Sequence, residues 1–250
     1  MVKGICVSFI SLLLLAGLRA EAQDTIMVPL HIRAGFDVAS PVNSFINKNL
    51  ASYGVLGSFD LDESLSAIAG ARYTSFSATE YNYDFSSRGL SFVFGAGYNF
   101  IKPKTAQGKY YAGLEIKYGI SFYGQEASRI EYSNSWGSGE TSLPLSHHVG
   151  NYLELGPGVR TELFSGVTIG WNLYMRVLLG AGTGSNLKPV YMPGYGDATS
   201  AITTGASYYI SISIPYKKVR VIVKPKPVET EEETTEEGEN STSTSTIGPR

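Results

Sequence analysis

Residues 114–122 read LEIKYGISF and alternate strictly between apolar and polar side chains. Successive residues of a β-strand point to opposite faces. Leu114, Ile116 and Phe122 therefore share one face, whereas Glu115 and Lys117 share the other. A helical repeat of 3.6 residues gives this stretch no continuous apolar stripe. The sequence predicts a β-strand that is apolar on one face and polar on the other.

Seven further segments show the same alternation. It is weakest in the second predicted strand, where Leu56 falls on the polar face. In the first, Val28, Leu30, Ile32 and Phe36 share the predicted apolar face. The content of Tyr, Ile and Val also favours strands. The eight predicted strands are residues 28–38, 52–61, 65–76, 90–100, 110–123, 152–163, 167–179 and 206–216.

The polar faces of these strands are rich in Gly and Ser, and their charges nearly cancel. Small residues suit the crowded interior of a narrow barrel, and buried charges need partners. Only 17% of the chain is charged, whereas a soluble protein has about a quarter. We therefore expect the apolar faces to point to lipid and the charged side chains to form an interior polar network. Its predicted members are Arg33, Asp37, Arg72, Glu115, Lys117, Glu154, Arg160, Glu162 and Arg176.

The connections between the predicted strands alternate in length. They are short at residues 62–64, 102–109 and 164–166, and long at 40–51, 77–89, 124–151 and 182–204. Short periplasmic turns and long outer loops are typical of bacterial outer-membrane barrels, and about ten residues per strand cross a membrane on a tilt. The predicted fold is an all-β, eight-stranded antiparallel up-and-down transmembrane β-barrel, and side chains fill a lumen of this size.

The chain divides into three parts. Residues 1–22 are expected to be a signal peptide, with Lys3, an apolar run and a small-residue cleavage site at Ala20-Glu21-Ala22. Residues 23–218 are the predicted barrel. Residues 219–250 are acidic and rich in Ser and Thr, which predicts a disordered periplasmic tail. The sole cysteine, Cys6, lies in the predicted signal peptide, so the mature chain would have neither a disulfide nor a thiol nucleophile.

The sequence holds little that points to chemistry. There is no phosphate loop, metal-ligand spacing or nucleophile elbow, so we expect no enzyme and no cofactor. His147 and His148 adjoin in the longest predicted loop and would point apart on an extended chain. Pro157 interrupts the sixth strand, which predicts a bulge or kink. The net charge of −2 does not favour a nucleic-acid partner.

Several stretches resemble a known family. They are residues 34–41 (AGFDVASP), 111–119 (YAGLEIKYG), 153–155 (LEL), 158–164 (GVRTELF), 191–195 (YMPGY) and 214–218 (IPYKK). In their order and spacing they are similar to the DUF6048 family, uncharacterised outer-membrane β-barrel proteins of Bacteroidetes. The resemblance implies secretion, an outer-membrane barrel and no assigned activity or catalytic residues. The Gly-Pro-Gly around Pro157 and the acidic tail depart from the family.

Three functions remain open at this level. The first is a non-enzymatic outer-membrane barrel with a structural or surface-interaction role, whose loops, Trp136 among them, suit adaptable binding. The second is an outer-membrane enzyme with a site at the extracellular rim, and the third is a soluble ligand-binding barrel. The expected surroundings are outer-membrane lipid, with a monomeric chain and an unidentified extracellular or periplasmic protein partner. Rim candidates for the second are Glu126, Glu131, His147, His148 and Asp197.

Overall fold

The computed structural model describes residues 24–102, 108–182 and 189–223. Residues Thr25–Val223 form one compact unit. Within the described residues, no helix has both the length and the apolar character that a membrane crossing requires. The elements are β1 (Asp24–Asp37), α1 (Ala39–Ile46), β2 (Leu50–Asp60), β3 (Leu65–Thr79), β4 (Asp84–Asn99), β5 (Tyr110–Asn134), β6 (Gly137–Phe164), β7 (Val167–Gly180), β8 (Tyr191–Met192), β9 (Gly196–Asp197) and β10 (Ile202–Val223).

Eight of these strands close into a barrel. Their order around the ring is β1-β10-β7-β6-β5-β4-β3-β2, so the first and last strands are neighbours. The pairs with a recorded register are antiparallel. Each predicted strand lies within or overlaps one observed strand. The prediction of an eight-stranded antiparallel up-and-down barrel is therefore confirmed.

The barrel has an apolar exterior and a polar interior. Ile116 on β5 is 50% exposed and Leu173 on β7 is 43% exposed, whereas Arg33 and Glu115 are 3% and 5% exposed. Alternation in each strand separates the two sets, because successive side chains leave opposite faces of the sheet. The predicted orientation of the two faces is what the structure shows.

Val28 and Leu30 are the exceptions, and their predicted place on the exposed face is wrong. They are only 3% and 2% exposed. The strand β2 ends at Asp60, and β1 pairs with it only from Ile32 onward. The residues of β1 before Ile32 therefore extend past the end of β2. There, Val28 and Leu30 line a recess beside the turn that joins β2 to β3 and beside Tyr110.

Residues 124–151, predicted as a loop, are mostly strand. The strands β5 and β6 remain paired out to Asn134 and Gly137, with two register shifts between Gln125 and Ile130. This long hairpin extends past the first residue of β4, Asp84, and past the last residue of β7, Gly180. Both faces of its outer part are exposed, so neither selects for apolar residues and no alternation marks the strands.

Two further predictions differ from the structure. Of the bulge or kink expected at Pro157, the bulge is absent, because the β6–β7 register is the same at Leu155 and at Gly158 on either side of it. Pro157 faces outward, and the register shifts of β6 against β7 lie elsewhere, near Asn151 and Glu162. The strand β10 continues to Val223, past the expected barrel boundary at Lys218. The predicted signal peptide, and the tail from residue 224 on, lie outside the described residues.

Candidate functional site

Side chains of alternating charge form a row along the lumen wall on three neighbouring strands. Lys117 on β5 faces Glu154 on β6, which in turn faces Arg176 on β7. The Lys117 Nζ lies 2.7 Å from Glu154 Oε1 and 2.9 Å from Glu115 Oε2, and Arg176 Nε lies 2.8 Å from Glu154 Oε2. Asn172 donates a further hydrogen bond of 3.1 Å to Glu115. The cross-strand register brings each buried charge to a partner.

A second pair lies nearer the long connections. Arg72 Nη2 on β3 is 2.9 Å from Asp37 Oδ2 at the end of β1. Asp37 also accepts hydrogen bonds from the Ala39 amide, at 3.0 Å, and from the Ser40 hydroxyl, at 2.7 Å. One carboxylate therefore neutralises a luminal cation and holds the start of α1.

A third pair lies near the opposite end of the lumen. Arg33 Nη1 is 2.6 Å from Asp60 Oδ1, and the His31 amide donates to Asp60 Oδ2 at 3.0 Å. Asp60 was not among the predicted network members. The sequence did indicate that its side chain faces the lumen, because Asp60 lies two residues after the inward-facing Ser58 and therefore on the same face of the strand. It lay at the end of the strand with the weakest alternation.

Arg160 and Glu162 do not join these groups. The Arg160 guanidinium lies over the Tyr111 ring, 4.8 Å from its centroid, which is a cation–π geometry. Glu162 accepts a 3.1 Å hydrogen bond from the Gly166 amide in the turn between β6 and β7. The nine predicted residues thus divide into three ionic groups and two separate contacts.

Tyrosine rings fill much of the remaining lumen. Each of three inward tyrosines lies over a glycine directly opposite it on the neighbouring strand, where a side chain would collide with the ring. Such pairing lets an aromatic ring cover the bare backbone of a glycine. The pairs are Tyr152 with Gly119, Tyr174 with Gly205 and Tyr209 with Gly170.

The space that remains among these side chains is small. A cavity of about 70 Å³ lies beside Lys117, Glu154 and Arg176. Water occupies about 30 Å³ per molecule in the liquid, so this cavity could hold only a few waters. A larger recess of about 310 Å³ lies beyond Arg72 and Arg176, under α1 and the residues around Tyr195. It has polar walls, but the cations at its base are already paired.

The β5–β6 hairpin is held at its root by one arginine. Arg129 Nε and Nη2 lie 2.9 Å and 3.2 Å from the two carboxylate oxygens of Asp84, and Nη2 also donates to the Glu80 carbonyl. These hydrogen bonds lower the pKa of Asp84 from its ordinary value. Farther out, Tyr132 and Trp136 are 50% and 95% exposed. The hairpin presents aromatic side chains on an anchored stem.

One pair at the rim has the geometry of a nucleophile and its base. Ser146 Oγ lies 2.9 Å from His148 Nε2, a contact that can activate a serine hydroxyl. His147 is exposed on the other face of β6, so the predicted divergence of the two histidines is what the structure shows. In the described part of the chain, no group of three or more His, Cys, Asp or Glu could hold a metal ion.

The sequence matches one protein family, and its structure is similar to several solved structures. The model of the family described as Domain of unknown function (DUF6048) matches residues 1–219. No curated protein matches the chain. One similar solved structure is the N-terminal β-barrel domain of Pseudomonas aeruginosa OprF, with 11% identity, a TM-score of 0.31 and coverage of 76% of this chain and 100% of that one.

Two more solved structures are similar to a comparable extent. Acinetobacter baumannii CarO2 has 10% identity and a TM-score of 0.38, with coverage of 76% of this chain and 100% of that one. Ail, the attachment invasion locus protein of Yersinia pestis, has 10% identity and a TM-score of 0.34, with coverage of 78% and 98%. Similarity at this level carries no inference about function.

Proposed function

Since the chain belongs to the DUF6048 family of domains of unknown function, we propose its function from its own geometry. It is a non-enzymatic β-barrel of the bacterial outer membrane with a structural or surface-interaction role and a lumen filled by side chains. The chain is monomeric, and its surroundings are outer-membrane lipid. Its protein partner, extracellular or periplasmic, is unidentified.

The observation that carries this proposal is that the barrel is apolar on the outside and charged on the inside. Large apolar side chains surround the outside while ion pairs occupy the inside. Monomeric soluble proteins rarely expose contiguous apolar patches above a few hundred Å², whereas a membrane barrel needs an apolar outer band. A soluble ligand-binding barrel would need an apolar interior with room for its ligand. The charged lumen and its small cavity argue against that alternative.

The height and borders of the apolar band also support a membrane position. On β4 the outward side chains from Tyr98 to Leu90 are uncharged, about the length that crosses a bilayer on a tilt. Tyrosines expected at the two interfaces face outward and are 40–53% exposed, as in the aromatic girdles of membrane barrels. They are Tyr53, Tyr98, Tyr110, Tyr208 and Tyr216.

The surface role rests on the β5–β6 hairpin. Its stem is clamped by Arg129, and its outer part exposes Tyr132 and Trp136. Aromatic side chains supply large contact areas with little loss of conformational freedom on binding. With the short turns in the periplasm, the hairpin projects from the cell surface. We propose that it forms the contact with an extracellular partner.

A charge placed in the outward band tests membrane insertion. We expect Ile116→Arg to destabilise the barrel by about 2–4 kcal/mol, the cost of an arginine facing lipid near mid-membrane. The control Tyr132→Arg, on the hairpin, should have little effect. The readouts are membrane fractionation and the gel mobility of unboiled and boiled samples, which differs for a stable membrane barrel. Recovery in the aqueous fraction, with Ile116→Arg tolerated, would overturn the proposal.

A rim enzyme is a second candidate because of the Ser146–His148 contact. If Ser146 is a nucleophile, a fluorophosphonate probe should label the folded protein, and Ser146→Ala should abolish the labelling. Ser138→Ala, farther along the same strand, is the matched control. Absence of labelling in the folded wild-type chain would remove this candidate and leave the structural barrel.

A further inference from the structure

A row of three paired residues crosses the outer surface where the apolar band ends. Arg88 on β4 lies opposite Gly124 on β5, and Gly124 lies opposite His147 on β6. By the alternation of their strands all three positions face outward. Arg88 and His147 are exposed, whereas Gly124 is buried. The adjacent row toward the band is entirely apolar. It consists of Leu90, Phe122 and Val149, which are 46–50% exposed.

The glycine in the middle of this row places no side chain between the two basic side chains, and the end of the Leu145 side chain lies over it. The result is a cleft of about 460 Å³, lined by Arg88 and His147 and by the apolar side chains of Phe122, Leu145 and Val149. We refer to it as the Arg88 cleft. Its apolar wall continues directly into the outward band, so the cleft is open toward the position of lipid chains.

The charge at the cleft is not neutralised by the protein. In the part of the chain that the structure describes, Arg88 forms no ion pair. The nearest acidic position is Glu126, one row farther out, which accepts a 3.2 Å hydrogen bond from the Ser86 hydroxyl. A guanidinium is well suited to phosphate, because its planar N–H groups match the phosphate oxygens. Its aliphatic stem can lie along apolar surface while the charged end reaches the interface.

We propose that the Arg88 cleft binds the phosphorylated headgroup of a lipid in the outer leaflet. Arg88 and His147 contact the phosphate, and the acyl chains lie along Phe122 and Val149 toward the band. This inference rests on the proposed membrane position of the barrel. The occupant is a lipid and not free phosphate, because the apolar wall of the cleft complements acyl chains.

The test measures lipid binding to the purified full chain in detergent micelles. The probe is bisphosphorylated lipid A, with dephosphorylated lipid A and inorganic phosphate as comparison ligands, and native mass spectrometry reports the bound fraction. We expect phosphorylated lipid A to bind the wild type at least about tenfold more tightly than Arg88→Gln/His147→Gln, a loss of roughly 1.4 kcal/mol. Arg220→Gln, which removes an exposed cation near the other end of the barrel, should bind like the wild type.

A second variant fills the cleft without removing a charge. A Cβ at position 124 would meet the flexible end of Leu145 at 2.9 Å, so Gly124→Leu should fold while it displaces that side chain into the cleft. We expect it to weaken lipid binding as well. Unchanged binding in both variants would overturn the inference, as would equal affinity for the dephosphorylated lipid. Displacement of the lipid by inorganic phosphate alone would identify a free-phosphate site instead.

The same samples separate this inference from the proposed function. Heat-modifiable gel mobility reports whether the chain has formed a stable barrel, whatever it binds. A barrel that inserts into membranes but does not prefer phosphorylated lipid contradicts only the Arg88 cleft. A chain recovered in the aqueous fraction contradicts the membrane position and, with it, the cleft.

Discussion

Lys117 Nζ lies 2.7 Å from Glu154 Oε1, directly across the β5–β6 pair. The same nitrogen lies 2.9 Å from Glu115 Oε2, so a single ammonium group serves two buried carboxylates. Arg176 contacts Glu154 from the other side. Removal of Lys117 leaves Glu115 without a cationic partner and Glu154 with only one.

We therefore expect Lys117→Met to destabilise the barrel by about 3–5 kcal/mol, the usual cost of removing one partner of a buried ion pair. The measurement is the free energy of unfolding by denaturant in detergent micelles. Lys117→Met/Glu115→Gln should lose less than the sum of the two single variants, since the carboxylate that Lys117→Met leaves without a cation is removed. Lys48→Met is the control, because Lys48 is exposed and outside the lumen. A loss no greater than that of the control would contradict the luminal role.

The Tyr152 ring occupies the space where a side chain at Gly119 would lie. We expect Gly119→Val to displace this ring and to cost about 1–3 kcal/mol, as overpacking does. The matched control is Gly57→Val, because Gly57 faces outward and a Cβ there meets nothing closer than 3.4 Å. Unfolding midpoints of the two variants give the comparison. Equal stability would show that the ring does not depend on the glycine.

The filled lumen predicts a barrel that does not conduct. The cavity beside the charged row is only about 70 Å³, and no wide pore is expected with eight strands. Planar-bilayer recordings of the purified chain should show no large, steady conductance. A general porin inserted into the same bilayer is the positive control. Large steady currents from this chain would be inconsistent with the closed lumen.

The hydrogen bonds from Arg129 lower the pKa of Asp84. Because the pKa is lowered in the folded state, this contact stabilises the hairpin root above the unfolded value of about 3.9. The contribution is lost as the pH falls through the lowered folded pKa. We expect the carboxyl ¹³C signal of Asp84 to titrate below the ordinary range in the wild type and to move back toward it in Arg129→Gln. The signal of Asp197, whose pKa is lowered by Thr199, should not change.

Residues 128–142 of the β5–β6 hairpin, which include Arg129, should be dispensable for formation of the barrel. Ala127 is paired with Leu143, so residues 128–142 can be replaced by an Asn-Gly turn that keeps this register. We expect the shortened chain to retain heat-modifiable mobility and to lose any binding that depends on Trp136. Trp136→Ala in the full-length hairpin is the companion variant. Failure of the shortened chain to form a barrel would assign the hairpin a role in folding.

The alternation of apolar and polar residues predicts a strand wherever the two faces of that strand lie in different environments. Outward-facing Ile116 and lumen-facing Lys117 differ in polarity because their surroundings differ, and the pattern therefore revealed the eight strands. Beyond Ile130 both faces of the hairpin are largely exposed, so the two-residue period is absent although the backbone pairing continues. The alternation predicts an outward side chain for Leu30, but Leu30 lies on the part of β1 that extends past the end of β2. The alternation within one strand does not indicate where its partner strand ends.

The candidate site was predictable in its composition more than in its pairing. The alternation within each strand predicted which charged residues face the lumen, as for Glu154 and Arg176. Which cation meets which carboxylate depends on the register between strands, and a single strand's sequence does not contain that register. Asp60 was missed for another reason, because it lies at the end of the strand with the weakest alternation.

The neighbouring position of β1 and β10 determines when the ring can close. Until Ile202–Val223 has been synthesised, β1 and β7 both keep an unpaired edge of backbone N–H and C=O groups, which is unfavourable in a bilayer. Insertion strand by strand during translation would leave those edges facing hydrocarbon. For a barrel in the proposed membrane position, we expect insertion only once β10 is present, and truncation before Ile202 should yield a species that aggregates instead of a smaller barrel.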